Sequence, residues 1–164
     1  MKNKYLIMII IILVLLVIII GICLIKRRNK VEIKDIKSMY FSYSNGYMIN
    51  SNVYYELNCK ENKCIATIKP NQMSEENKLE VEVDKKTVHE IIKVLKENEI
   101  EKWNGFDKSN KNVLDGDSFT FQLKTNDNEI YAHGYMKWPK NYSNVRNSLD
   151  NIFMDIYNSN KNDN

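Results

Sequence analysis

The run of twenty-one residues from Tyr5 to Ile25, which holds no charge and no proline, constrains this chain more than any other feature. As a helix, about 20 apolar residues cross the roughly 30 Å hydrocarbon core of a bilayer. The run is longer than the apolar region of a cleaved signal peptide. Ile22, directly before Cys23, disfavours lipidation of that cysteine. The sequence therefore predicts an uncleaved, single-pass transmembrane helix over residues 5–25, of the signal-anchor type.

The basic residues on the two sides of this run leave its orientation open. A cluster that we interpret as a membrane-surface anchor follows the run: Lys26, Arg27, Arg28 and Lys30. Lys and Arg are enriched on cytoplasmic flanks, so this cluster favours a domain inside the cell. The short basic tail, residues 1–4, favours the opposite orientation, because such a tail is typical of signal anchors.

The rest of the chain is predicted to form one domain. Residues 26–36 read as a basic juxtamembrane stem, 37–157 as a single α+β domain and 158–164 as a disordered tail. Six of the 24 basic side chains and none of the 21 acidic ones lie in the first thirty residues, so the remainder carries 18 basic and 21 acidic side chains. A mildly acidic domain with interspersed charges disfavours nucleic-acid binding.

Alternation of apolar and polar residues predicts about six strands. They are Ser38–Ser44, Val53–Cys59, Cys64–Lys69, Leu79–Val83, Phe119–Leu123 and Ile130–Met136. Apolar residues at helical spacing predict two amphipathic helices, Lys85–Asn98 with Asp84 as its N-cap and Asn144–Tyr157. The order β-β-β-β-α-β-β-α indicates an α+β fold, an antiparallel sheet with both helices packed on one face, following the transmembrane helix.

Four short motifs carry a resemblance to known proteins: YYEL at 54–57, KWNGF at 102–106, DGDSF at 115–119 and WP at 138–139. With these motifs the chain resembles an uncharacterised extracytoplasmic domain carried by membrane anchors and lipoproteins of low-GC Gram-positive bacteria. The resemblance implies a location in the bacterial cell envelope. It supplies no catalytic residue.

The sequence holds no motif that assigns a catalytic, cofactor-binding or metal-binding residue. The sequence has no G-x-S-x-G, H-E-x-x-H, C-x-x-C or phosphate-binding glycine loop. Asp107, Asp115 and Asp117 could gather a hard cation, although a turn at Asp115-Gly116 is the simpler interpretation. An enzyme is therefore disfavoured, and no cofactor is expected.

Aromatic residues provide the candidate binding face. Tyr131, His133 and Tyr135 share one face of a predicted strand, and Tyr40 and Tyr54 are placed on outward faces of theirs. Amphipathic rings of this kind suit the recognition of protein or glycan. Half-buried packing on the sheet is the alternative interpretation.

Cys59 and Cys64 are predicted to form a disulfide. They would close a hairpin directly opposite each other, at a distance that a disulfide accepts. Disulfides persist in oxidising compartments, so the pairing favours a domain outside the cytoplasm. Two reduced thiols in a cytoplasmic domain are the alternative.

Together these features favour a membrane-tethered binding or accessory module of the cell envelope. The expected partners are the lipid bilayer and an envelope protein or glycan, with no nucleic acid. One alternative is a cytoplasm-facing, membrane-anchored partner or immunity-type domain, favoured by the basic cluster after the apolar run. The other is an envelope enzyme that uses His133 and nearby carboxylates.

Overall fold

A computed structural model describes Tyr5, Met8 and residues 11–21, 32–44, 46, 52–61, 63–70 and 78–161. The chain divides into two compact units, residues 1–31 and residues 32–164. The strands of the second unit are β1 (Ser38–Ser44), β2 (Val53–Lys60), β3 (Lys63–Lys69), β4 (Leu79–Val83), β5 (Phe106–Ser109), β6 (Ser118–Lys124) and β7 (Glu129–Tyr135). Its helices are α1 (Lys85–Glu97), a short 3-10 helix (Ile100–Trp103) and α2 (Tyr142–Lys161).

The strands form one seven-stranded sheet in the order β4-β3-β2-β1-β6-β7-β5. Neighbouring strands are antiparallel except β5 and β7, which pair in parallel. The prediction of about six strands in a purely antiparallel sheet is therefore wrong, although the α+β class is correct. The extra strand, β5, has four residues, and Phe106 is the apolar one, so no alternation marks it in the sequence.

Alternation along the strands sends the large apolar side chains to one face of the sheet, where the helices pack. Tyr55 of β2 stacks on Phe153 of α2 with ring centroids 4.6 Å apart. Trp103 of the 3-10 helix meets Phe121 of β6 edge to face at 5.6 Å. Burial of such side chains away from water is the main stabilising term of the domain. These contacts place α2 and the 3-10 helix on the same face of the sheet.

A local capping signal marks the start of α1, whereas a buried side chain lies near the end of α2. The Asp84 carboxylate accepts a hydrogen bond from the Thr87 amide at 2.8 Å, which is the predicted N-cap of α1. Helix α2 continues to Lys161, so its last turn enters the segment assigned to a disordered tail. Tyr157 is buried near this end, and a buried aromatic ring stabilises the turns on both sides of it.

Cys59 and Cys64 pair directly across the β2–β3 hairpin and form a disulfide with an Sγ–Sγ distance of 2.07 Å. Their α-carbons are 4.1 Å apart. The predicted disulfide is present because antiparallel strands joined by a short loop bring the two residues face to face.

The predicted transmembrane helix is not upheld. Among the residues that the structure describes, no helix is both long and apolar enough to cross a membrane. This finding contradicts the predictions of a signal anchor and of a single-pass membrane protein with its domain outside the cytoplasm. The predicted membrane-surface anchor (Lys26, Arg27, Arg28 and Lys30) lies outside the described residues.

Candidate functional site

The face of the sheet opposite the helices carries polar side chains with tyrosines among them. We call it the outer face, formed by the outward residues of β1, β2, β6 and β7. The strand register places Tyr40 between Glu56 and Gln122, and places Gln122 opposite Tyr131. Two tyrosines therefore stand two strands apart in one row, about 10 Å from each other at the backbone.

A hollow of about 620 Å³ lies along this row. Tyr40 and Tyr131 both line it, and Tyr131 is 47% exposed. The polar side chains of the lining are Ser38, Glu56, Asn58, Asn104, Gln122, Lys124 and Glu129. Lys124 and Glu129 form an ion pair with an Nζ–Oε1 distance of 2.6 Å. The hollow thus combines aromatic rings with hydroxyl, amide and carboxylate groups.

A second hollow of about 330 Å³ adjoins the first, because Tyr40 lines both. Its lining includes Ser42, Ser44, Ser118 and Asn52. Tyr54 stacks beside Tyr40, with ring centroids 6.2 Å apart and an interplanar angle of 27°. The two rings therefore lie side by side, next to the hydroxyl and amide groups that line the same hollow.

The three residues of the predicted binding face have different surroundings. Tyr131 lines the larger hollow. His133 is half-buried, and its Nδ1 lies 3.3 Å from the Thr120 hydroxyl. The Tyr135 hydroxyl donates to the Leu114 carbonyl oxygen at 2.7 Å, so it anchors the loop before β6. Of the three, Tyr131 is the one that joins a hollow of the outer face.

His133 lies between two polar residues of the neighbouring strands. The parallel pairing places Asp107 opposite His133, and the antiparallel pairing places Thr120 on its other side. A relay needs the base to bond both the nucleophile and an orienting group. Among the described contacts, the His133 imidazole bonds Thr120 but not Asp107.

Backbone contacts hold the end of the β5–β6 connection against the residue after β7. The Met136 amide donates to the Asp117 carbonyl oxygen at 2.9 Å. Gly116 is buried, and an added Cβ there would meet the Met136 side chain. In the described ranges, no three His, Cys, Asp or Glu side chains are placed to hold a metal ion.

Asp150 of α2 organises a second polar cluster, on the helix side of the sheet. Its Oδ1 accepts hydrogen bonds from the hydroxyls of Tyr43 at 2.8 Å and Tyr55 at 2.9 Å. Arg146 reaches Asp150 Oδ2 with its Nε at 3.6 Å, and its guanidinium lies 4.1 Å from the Tyr43 ring centroid. The cluster joins α2 to β1 and β2.

The cluster keeps its tyrosines protonated. Burial, reinforced by the negative charge of Asp150, raises the pKa of both Tyr43 and Tyr55 above the ordinary tyrosine value. Burial also raises the pKa of Tyr142. A nucleophilic or basic tyrosine needs the opposite shift, and the hydroxyls of Tyr43 and Tyr55 serve instead as hydrogen-bond donors to Asp150.

These pKa shifts predict a loss of stability at alkaline pH. Above about pH 10 the tyrosines of the unfolded chain ionise while the buried ones stay protonated, so the unfolding free energy falls. The fall should reach about 1.4 kcal/mol per pH unit for each such tyrosine. Chemical denaturation at about pH 9 and about pH 11 should show a smaller loss for Tyr55→Phe than for the wild type. Equal losses would contradict the role given to Tyr55.

No protein-family model matches the chain, and no curated protein matches it. The resemblance to an uncharacterised extracytoplasmic domain therefore stays a prediction.

Proposed function

We propose that the domain is a binding module that holds a neutral oligosaccharide on its outer face. The observation that carries this proposal is the pair of tyrosines, Tyr40 and Tyr131, that flank a hollow otherwise lined by polar groups. A sugar ring offers an apolar face of C–H groups to an aromatic ring and hydroxyls to the polar groups around it. Tyrosine suits such contacts because its ring is apolar and its hydroxyl hydrogen-bonds.

The spacing of the two tyrosines supports a chain of sugars as the ligand. They lie two strands apart, about 10 Å, which is close to the length of a disaccharide. Alternate rings of an oligosaccharide that runs across the strands would then contact Tyr40 and Tyr131. Gln122 stands between them in the same row and can donate and accept hydrogen bonds.

The charges around the hollow favour a neutral ligand. Lys124 is paired with Glu129, which leaves the carboxylate of Glu56 as the excess charge of the lining. An acidic sugar would meet net negative charge there, because like charges repel across a partly desolvated surface.

The scarcity of exposed apolar residues disfavours a protein as the ligand. In the described part of the second unit, the exposed large apolar side chains are Ile65, Leu114, Tyr131 and Trp138. The core of a protein interface is usually a contiguous group of apolar and aromatic anchors. The outer face instead offers Tyr40 and Tyr131 with the polar side chain of Gln122 between them.

Calorimetric titration of the intact chain with neutral oligosaccharides, including cellotetraose and chitotetraose, tests the proposal. Tyr131→Ala should weaken binding about tenfold, as expected for the loss of an aromatic anchor, while Tyr131→Phe should retain most of it. Leu114→Ala is the matched control, because Leu114 is 94% exposed and lies outside both hollows. Equal affinities of wild type and Tyr131→Ala, or binding by proteins in place of every glycan, would overturn the proposal.

A further inference from the structure

Two motifs that are far apart in the sequence meet around one cavity of about 260 Å³. Trp103 and Phe106 come from the KWNGF motif, and Trp138 and Pro139 from the WP motif. We propose that this cavity is a second binding site, for a small aromatic carboxylate. It is lined by residues other than those of the outer-face hollows, so it is independent of the oligosaccharide proposal.

The cavity offers aromatic surface to a planar ring. Trp103 is buried, while Trp138 is 39% exposed and stacks on Tyr142 with ring centroids 4.6 Å apart. Phe106 is half-buried. Tryptophan offers a large aromatic surface and is enriched among the residues that anchor binding. The volume is slightly below the usual range for ligand sites and suits one small molecule.

Hydrogen bonds between the two segments fix the walls. The Trp103 Nε1–H donates to the Lys140 carbonyl oxygen at 3.0 Å. The Asn141 side-chain amide donates to the Asn98 carbonyl oxygen at 3.3 Å. These bonds join the end of α1 and the 3-10 helix to the segment before α2. A ligand would therefore enter a preformed site, and little ordering would oppose its binding.

Glu99 is the one carboxylate among the residues that line the cavity. It follows the C-cap of α1 with φ of 55°, a left-handed conformation that glycine adopts most easily. Its carboxylate forms ion pairs with Lys102 and with Lys140, the latter at 3.8 Å. These ion pairs hold Lys102 and Lys140 at the cavity.

The net charge of the rim is positive. The lining has three lysines, Lys102, Lys108 and Lys140, and one carboxylate, that of Glu99. The Lys108 ammonium lies 5.3 Å from the centroid of the Phe106 ring, so it stands beside the aromatic surface. A carboxylate on a bound ring would find attraction at this rim, and a neutral ring would not.

Binding of 2-naphthoate to the intact ¹⁵N-labelled chain tests the proposal. The chain has two tryptophans and both line the cavity, so both indole N–H signals report on it. Both signals should shift in a saturable manner, and the neutral 2-naphthamide should bind about threefold more weakly. Trp138→Ala should weaken naphthoate binding about tenfold.

Lys108→Gln keeps the proposal testable if Trp138→Ala does not fold, because Lys108 is exposed. It should weaken naphthoate binding about threefold and leave naphthamide binding unchanged. Leu114→Ala should change neither. If the indole signals do not shift up to about 10 mM naphthoate, the proposal that this cavity binds an aromatic carboxylate is wrong. Equal affinities for naphthoate and naphthamide would overturn the carboxylate as the ligand group.

Discussion

Replacement of Asp150 by alanine is expected to lower the unfolding free energy by about 3 kcal/mol. The Asp150 carboxylate accepts the hydroxyls of Tyr43 and Tyr55, which come from two different strands. Without it, both hydroxyls lose their acceptor in a place that water reaches poorly, and Arg146 loses its counter-ion. Urea denaturation followed by circular dichroism measures the change.

Asp155→Ala is the matched control for this substitution. Asp155 lies on the same helix and is exposed, so its removal should change the unfolding free energy by less than about 0.5 kcal/mol. Asp150→Asn keeps an acceptor for the hydroxyls and should fall between the two. If Asp150→Ala and Asp155→Ala were equally stable, the cluster would contribute nothing to the junction of α2 with the sheet.

Gly134→Ala is expected to destabilise the domain by about 3 kcal/mol, the upper end of the usual cost of overpacking. Gly134 lies on the buried face of β7, where an added Cβ would overlap the Phe119 ring and the Lys137 carbonyl oxygen. Phe119 also contacts Trp103 and Tyr142, so it has little room to move. Either the ring or the turn after β7 must shift.

Gly105→Ala makes the same chemical change where the cause of strain is different. Gly105 has φ of 75° and nothing within 4 Å of an added Cβ. The expected cost is about 1 kcal/mol, from backbone conformation alone. In thermal denaturation, Gly134→Ala should have a lower melting temperature than Gly105→Ala. The reverse order would show that Phe119 and the turn after β7 can move at little cost in stability.

Local patterns in the sequence predicted most of the elements. The alternation of Phe119, Phe121 and Leu123 predicts β6. It extends over the whole strand because one face of the strand is buried and the other is not. Asp84 marks the start of α1 because its carboxylate accepts an otherwise unpaired amide. The disulfide was predictable because hairpin geometry depends on neighbouring residues only.

Features that depend on distant pairing were not predictable in this way. Strand β5 has one apolar residue, and its parallel partner, β7, is distant from it in the sequence. Tyr40 and Tyr131 meet at one hollow only because β1 and β7 both pair with β6. The apolar run after Tyr5 has the composition of a membrane span, but among the described residues no helix is both long and apolar enough to cross a membrane.

Chemical-shift mapping of the labelled chain with a neutral tetrasaccharide is the measurement that most directly tests the proposed binding face. Signals of Tyr40, Gln122 and Tyr131 should shift together along one binding curve, because these residues form one row of the outer face. The two indole signals should stay in place, because neither Trp103 nor Trp138 lines the outer-face hollows. Shifts confined to the indoles, or none along the row of Tyr40 and Tyr131, would contradict the outer face as the oligosaccharide-binding site.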